Sequence, residues 1–150
     1  MAHKNELTRI LLVEDNVDDI MMTWRALLEA NMVNPLDVVR DGQEAIEYLW
    51  REGRYRDSAT SPRLGLILLD INLPAMNGLS VLVYIKKHPE LKRIPVVLLT
   101  SSTREQDVVS GYEYGCNSFL QKPVEFEQFV KLVQHIGLYW GLLNVSPPEG

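Results

Sequence analysis

The sequence predicts an α/β fold, an open parallel sheet with helices on both faces, and two patterns carry that prediction. Short apolar runs of four or five residues alternate along the chain with longer stretches whose apolar residues recur at helical spacing. The runs are apolar at every position, as in strands buried on both faces. The chain has 150 residues, 46% of them hydrophobic. That length falls within the roughly 100 to 200 residues of one domain, which buries about 70% of its unfolded surface without a covalent staple.

Ile10-Leu11-Leu12-Val13 is the first strand. Asn16 and the acids Asp18 and Asp19 then open a helix, because a capping side chain and negative charge both favour a helix N-terminus. Ile20, Trp24, Leu27 and Leu28 form its apolar stripe. Leu36-Asp37-Val38-Val39 is short and flanked by polar residues, which places it near a sheet edge. After the Asp41-Gly42 turn, Ala45, Ile46 and Leu49 mark a second helix. Glu52 to Gly65, with Arg54, Arg56, Ser58, Thr60, Ser61 and Pro62, reads as an exposed loop. Leu66-Ile67-Leu68-Leu69 is the third strand, and Leu79, Leu82, Val83 and Ile85 a third helix ended before Pro89.

Pro95-Val96-Val97-Leu98-Leu99 is the fourth strand, and a polar helix is expected from about Arg104 to Tyr114, stopped by Gly115. Ser118-Phe119-Leu120 is a second edge strand. Phe126, Phe129, Val130, Val133 and Ile136 give the fifth helix its stripe. The tail Ser146-Pro147-Pro148-Glu149-Gly150 is expected to be disordered. Five strand and helix pairs, each crossing over with the same hand, predict a flavodoxin-like doubly wound sheet of order 2-1-3-4-5 with five helices.

Composition narrows the function. The single cysteine, Cys116, excludes a disulfide scaffold. No apolar run approaches the ~18 residues of a membrane span, and Met1-Ala2-His3-Lys4-Asn5-Glu6 has no signal core, so a soluble cytoplasmic protein is expected. A net charge of -5, from 20 acids and 15 bases, disfavours nucleic acid as a partner, because phosphate binding needs a concentrated basic face. A single domain over residues 1–150 is expected, with no room for a second.

In an open α/β sheet, ligands sit beyond the carboxyl ends of the strands. There the first strand ends in Glu14-Asp15, the third in Asp70, the fourth in Thr100, and the fifth runs into Lys122-Pro123. Three carboxylates in one pocket repel one another unless a pKa rises or a cation neutralises them. Mg²⁺ answers that need, since it prefers oxygen ligands and binds through one or two carboxylates plus waters and phosphate. Lys122 would face an anion opposite the metal, and Thr100 would donate a hydrogen bond, which outlines a site for handling a phosphoryl group. Each residue alone has an ordinary reading as a cap, a strand-end hydroxyl or a surface lysine. Their coincidence at the carboxyl ends of the strands argues for the functional one.

The stretches Ile10-Leu11-Leu12-Val13-Glu14-Asp15-Asn16, Leu68-Leu69-Asp70-Ile71-Asn72-Leu73-Pro74, Gly78, Val96-Val97-Leu98-Leu99-Thr100-Ser101 and Lys122-Pro123 resemble the receiver domain of two-component response regulators. The resemblance covers about residues 8 to 140. The long loop after the second helix, Leu91-Lys92-Arg93-Ile94-Pro95 and Tyr139-Trp140 are similar to the stand-alone regulators that partner bacterial phytochromes. The resemblance implies that Asp70 accepts a phosphoryl group from a histidine kinase and that the protein is a phosphoacceptor, not a turnover enzyme. Asp15 and Asp70 would bind Mg²⁺ directly, Glu14 through water, and the Asn72 carbonyl would complete the protein ligands. Thr100 and Lys122 would contact phosphoryl oxygens, and the Lys122-Pro123 bond would be cis, as proline permits.

Phe119 stands where this family carries its switch aromatic, and with no phenol it would act by packing alone. The fourth helix, fifth strand and fifth helix would form the responsive face. Tyr112, Tyr114, Tyr139 and Trp140 are candidate anchors there for a homodimer. The alternative is a Mg²⁺-dependent phosphatase of the haloacid dehalogenase type. That class needs a second Asp two residues after the nucleophile, where this chain has Asn72.

Overall fold

The computed structural model describes residues 9–32, 34–50, 64–101, 115–116 and 118–135. Strand β1 (Arg9–Val13) leads through helix α1 (Val17–Glu29) to β2 (Leu36–Val39), and α2 (Gly42–Trp50) leads to β3 (Leu64–Asp70). Helix α3 (Gly78–Lys87) precedes β4 (Val96–Thr100), followed by β5 (Ser118–Gln121) and helix α4 (Phe126–His135). All five strands are parallel, in the order β2-β1-β3-β4-β5. The sequence-predicted fifth helix is α4. The expected fourth helix, together with Tyr112, Tyr114, Ile136, Tyr139, Trp140, most of the loop after α2 and the tail, lies outside the described residues.

The loop expected to run to Gly65 ends earlier, because Leu64 and Gly65 already belong to β3. Leu64 opposes Arg9 and Leu66 opposes Ile10, so Gly65 is the extra residue of a bulge. Edge strand β2 is pinned at one end by the Arg9 guanidinium, which donates to both Asp37 oxygens at 2.8 and 2.7 Å, while the Tyr48 hydroxyl donates to the same carboxylate. The hydrogen bond from Arg9 is the main reason the Asp37 carboxyl lies below its ordinary pKa, against the opposing effect of burial.

Side chains alternate across the sheet. Ile10, Leu12, Leu66, Leu68, Val97, Leu99 and Leu120 pack with Ala26, Leu27 and Phe129 on the α1 and α4 side. Leu11, Val13, Ile67, Leu69, Val96 and Leu98 pack with Ala45, Tyr48, Val81, Leu82 and Ile85 on the α2 and α3 side. Both layers are closed, which accounts for the continuous apolar runs.

Two helix faces differ from the sequence expectation. Helix α1 buries Thr23, Ala26 and Leu27, while Trp24 and Leu28 stay 47% and 46% exposed. The small Thr23 and Ala26 let α1 approach the sheet closely. Trp24 and Leu28 then overhang β2, walling a groove with Met32, Leu36 and Val38. In α4, Phe129 is fully buried but Phe126, in the first turn, is 38% exposed.

The caps follow the predicted chemistry. Asn16 Oδ1 accepts from the Asp19 N–H at 3.0 Å at the start of α1, and Asn77 Oδ1 from the Leu79 N–H at 2.7 Å at the start of α3. At α2, Asp41 Oδ1 accepts from the Glu44 N–H at 2.7 Å, and the buried Glu44 carboxylate accepts from the N–H of Arg40, the residue before the cap, at 2.9 Å.

Gly78 fixes where α3 meets β3. Its N–H donates to the Ile71 carbonyl at 2.8 Å, and a Cβ there would lie 2.1 Å from the Asp70 carbonyl oxygen. The clash is with backbone, so it is relieved only by moving the chain that carries Asp70. Gly78→Ala is expected to destabilise the fold by about 3 kcal/mol, at the upper end of overpacking costs, read as a lower urea midpoint with unchanged slope.

Candidate metal and phosphoryl site

The site follows from strand alternation. Glu14 continues the series Ile10, Leu12; Asp70 continues Leu66, Leu68; and Lys122 follows Leu120, so all three lie on the α1 side of the carboxyl edge. The Lys122 ammonium lies 3.1 Å from Glu14 Oε1, 3.1 Å from Asp70 Oδ2 and 3.0 Å from Asp19 Oδ2. The Lys122-Pro123 bond is cis. Glu14 is fully buried, Asp70 nearly so, and Asp15 half-buried.

Backbone donors orient the carboxylates. The Asn72 N–H donates to Asp70 Oδ1 at 3.0 Å and the Asn16 N–H to Glu14 Oε2 at 3.3 Å. Thr100 is buried at the end of β4, where its carbonyl accepts from the Lys122 N–H at 2.8 Å. Phe119 is half-buried and opposes Leu98, so it lies on the Thr100 face of the sheet, two residues back from the edge.

Two contributors escaped the sequence reading. Asp19 serves as a helix-opening acid, yet its carboxylate also reaches Lys122; its place one turn after Asp15 is the signal that could have found it. Arg40, exposed after β2, donates from Nη2 to the Asp15 carbonyl at 2.8 Å and so ties the loop bearing Asp15 to the start of α2.

Glu14, Asp15 and Asp70 each offer an oxygen within 4.8 Å of the others, a set that can hold a divalent metal ion. The donors are all hard oxygens, the chemistry Mg²⁺ and Mn²⁺ accept. Burial, and then the neighbouring Asp70 carboxylate, push the Glu14 carboxyl up to about 7, with Lys122 opposing them. Burial works against the Lys122 ammonium, but hydrogen bonds to Asp19 and Asp70, with a smaller one to Glu14, outweigh it and hold its pKa above the ordinary lysine value.

The model of the response regulator receiver domain matches residues 10–134. The chain belongs to this family. Response regulator Rcp1 of Synechocystis sp. is 43% identical over 131 residues, covering 87% of each chain. The solved Mn²⁺-bound form of Rcp1 covers 95% of this chain and 99% of its own, with a TM-score of 0.74 and 42% identity. The bacteriophytochrome response regulator RtBRR superposes with a TM-score of 0.82 at 46% identity, over 95% of this chain and 85% of its own. The phosphorylated cyanobacterial phytochrome response regulator RcpA gives 0.75 at 39% identity, over 95% and 99%. No described helix is long and apolar enough to cross a membrane.

The raised Glu14 pKa has a definite sign. Ionised Glu14 costs the folded state more than the unfolded one, so its contribution favours folding below the unfolded value and is lost as pH rises through about 7. In EDTA, the wild type should be about 1 kcal/mol more stable at pH 6 than at pH 8 relative to Glu14→Gln, compared by urea unfolding.

Proposed function

We propose that Asp70 is the phosphoacceptor of a response regulator that takes its phosphoryl group from a histidine kinase. The observation that carries this reading is the Lys122 ammonium 3.1 Å from Asp70 Oδ2, beside the oxygens of Glu14, Asp15 and Asp70. Asp70 and Asp15 would hold Mg²⁺ directly, Glu14 through water, with the Asn72 carbonyl as a further ligand. When bound, the ion supplies positive charge to the phosphoryl oxygens and offsets carboxylate repulsion.

An Asp70 carboxylate oxygen forms a bond to phosphorus as the bond to the kinase histidine nitrogen breaks, and the electron pair leaves with that nitrogen. Lys122 and Thr100 contact the equatorial oxygens, where charge spreads in the transition state. Water later attacks phosphorus, the bond from phosphorus to the Asp70 oxygen breaks, and inorganic phosphate leaves, restoring the carboxylate. Asn72 stands where a phosphatase of the haloacid dehalogenase type would need an acid, so the aspartyl phosphate persists as a signal. The protein catalyses only its own phosphorylation and slow dephosphorylation.

Phosphorylation draws the Thr100 hydroxyl inward, and Phe119, on the same sheet face, packs into the space it vacates. This shifts a population between two pre-existing forms. The similarity to RtBRR and RcpA supports a phytochrome kinase as donor, and a cytoplasmic protein suits transfer of that kind. A single domain over residues 1–150 would signal through the face expected of the fourth helix, β5 and α4, with Tyr112, Tyr114, Tyr139 and Trp140 as candidate anchors of a phosphorylation-linked homodimer.

Incubation with Mg²⁺ and acetyl phosphate should add one phosphoryl mass to the intact protein, and Asp70→Ala or EDTA should abolish it. A wild type that stays unlabelled, or equal labelling of Asp70→Ala, would sink the assignment. Sedimentation velocity should show a larger species only with the phosphodonor; an unchanged monomer would remove the dimer.

A further inference from the structure

Lys122 has three ammonium hydrogens and, among the described residues, three carboxylate partners, which differ in what they can otherwise do. Glu14 and Asp70 belong to the cluster that can hold a divalent ion, whereas Asp19 is outside it. Asp19 instead stands in the first turn of α1, its backbone N–H fixed by Asn16 Oδ1 at 3.0 Å, and reaches Lys122 Nζ at 3.0 Å from a helix that packs on the sheet. It approaches from a different element than Glu14 on the β1 edge and Asp70 at the end of β3.

We infer that Asp19 is a positioning residue for phosphoryl transfer, holding the Lys122 ammonium by one N–H so that another stays aimed at the group on Asp70. The inference rests on Asp70 being the phosphoacceptor. A lysine side chain has four rotatable carbon bonds and a compact charge with no preferred fork, so its direction must be set by its partners. In the resting site, one N–H points at Asp70 Oδ2. When that carboxylate bonds to phosphorus, the hydrogen bond passes to a phosphoryl oxygen, and Glu14 would be engaged in holding a divalent ion with Asp15 and Asp70. Asp19 is the one partner whose charge neither event claims. The bond changes are those of the transfer itself: phosphorus to Asp70 oxygen forms, phosphorus to the donor's leaving group breaks, and Asp19 exchanges no proton.

The test uses the full chain at saturating Mg²⁺ with acetyl phosphate. Asp19→Asn should slow formation of the phosphoryl adduct about tenfold, less than the ~10²-fold that a misplaced reacting group can cost. Asp19→Glu, which keeps the charge, should recover most of the rate. Asp18→Asn removes an equal charge from the same exposed helix turn and should leave the rate unchanged. Nitrogen-15 NMR of lysine ammonium groups supplies a readout that helix stability does not move: a Lys122 signal slowed in exchange in the wild type and lost in Asp19→Asn while the backbone spectrum persists. Adduct formation at the wild-type rate in Asp19→Asn, or equal slowing by Asp18→Asn, would overturn the inference and leave Asp70 as acceptor. A wild type that forms no adduct would overturn both.

Discussion

The structure turns on one ammonium group among carboxylates. Lys122 Nζ joins the ends of three otherwise separate pieces, the loop after β1, the start of α1 and the end of β3, through contacts of 3.0 to 3.1 Å. Its neighbours Glu14, Asp15, Asp19 and Asp70 outnumber it, so the cluster remains short of positive charge. Burial first, and then that imbalance through Asp70, push the Glu14 carboxyl up to about 7, and a divalent cation would offset both. A site satisfied by the lysine alone would have little use for a metal ion. A site without the lysine would hold its carboxylates apart only by protonating them.

The surrounding loops keep this cluster in place by contacts that have little to do with charge. Gly78 lets α3 close onto the Asp70 backbone, and Gly42 gives the same room to Met76 in the loop after β3, since a Cβ there would meet the Met76 sulfur at 2.8 Å. Arg40 then fastens the loop bearing Asp15 to the start of α2. The acidic edge is thereby mounted on three loops that brace one another, and the glycines mark where backbones or side chains approach too closely for a larger residue.

Most of the fold was legible because the sheet is buried on both faces. Continuous runs such as Leu66 to Leu69 leave few alternatives, and strict alternation with helices then fixes strand order through handedness. The acidic residues at strand ends were legible for the same reason, since topology alone sends Glu14, Asp70 and Lys122 to one edge. What the pattern could not show was how each helix rolls on the sheet. Trp24 and Leu28 fit an apolar stripe, yet the small Thr23 and Ala26 decide which face goes inward. The partnership of Asp19 with Lys122 was hidden likewise, because an acid in a first helical turn already has a sufficient local explanation. The bulge at Gly65 escaped notice because glycine there also suits a loop end.

Chemical mapping of the phosphorylated residue reads the chemistry of this site most directly. Borohydride reduction of the Mg²⁺ and acetyl phosphate product, followed by peptide mass analysis, converts an aspartyl phosphate to homoserine at its own position. Homoserine is expected at position 70 alone, and none when the reaction contains EDTA. Homoserine at position 15, or an adduct that resists reduction, would contradict it.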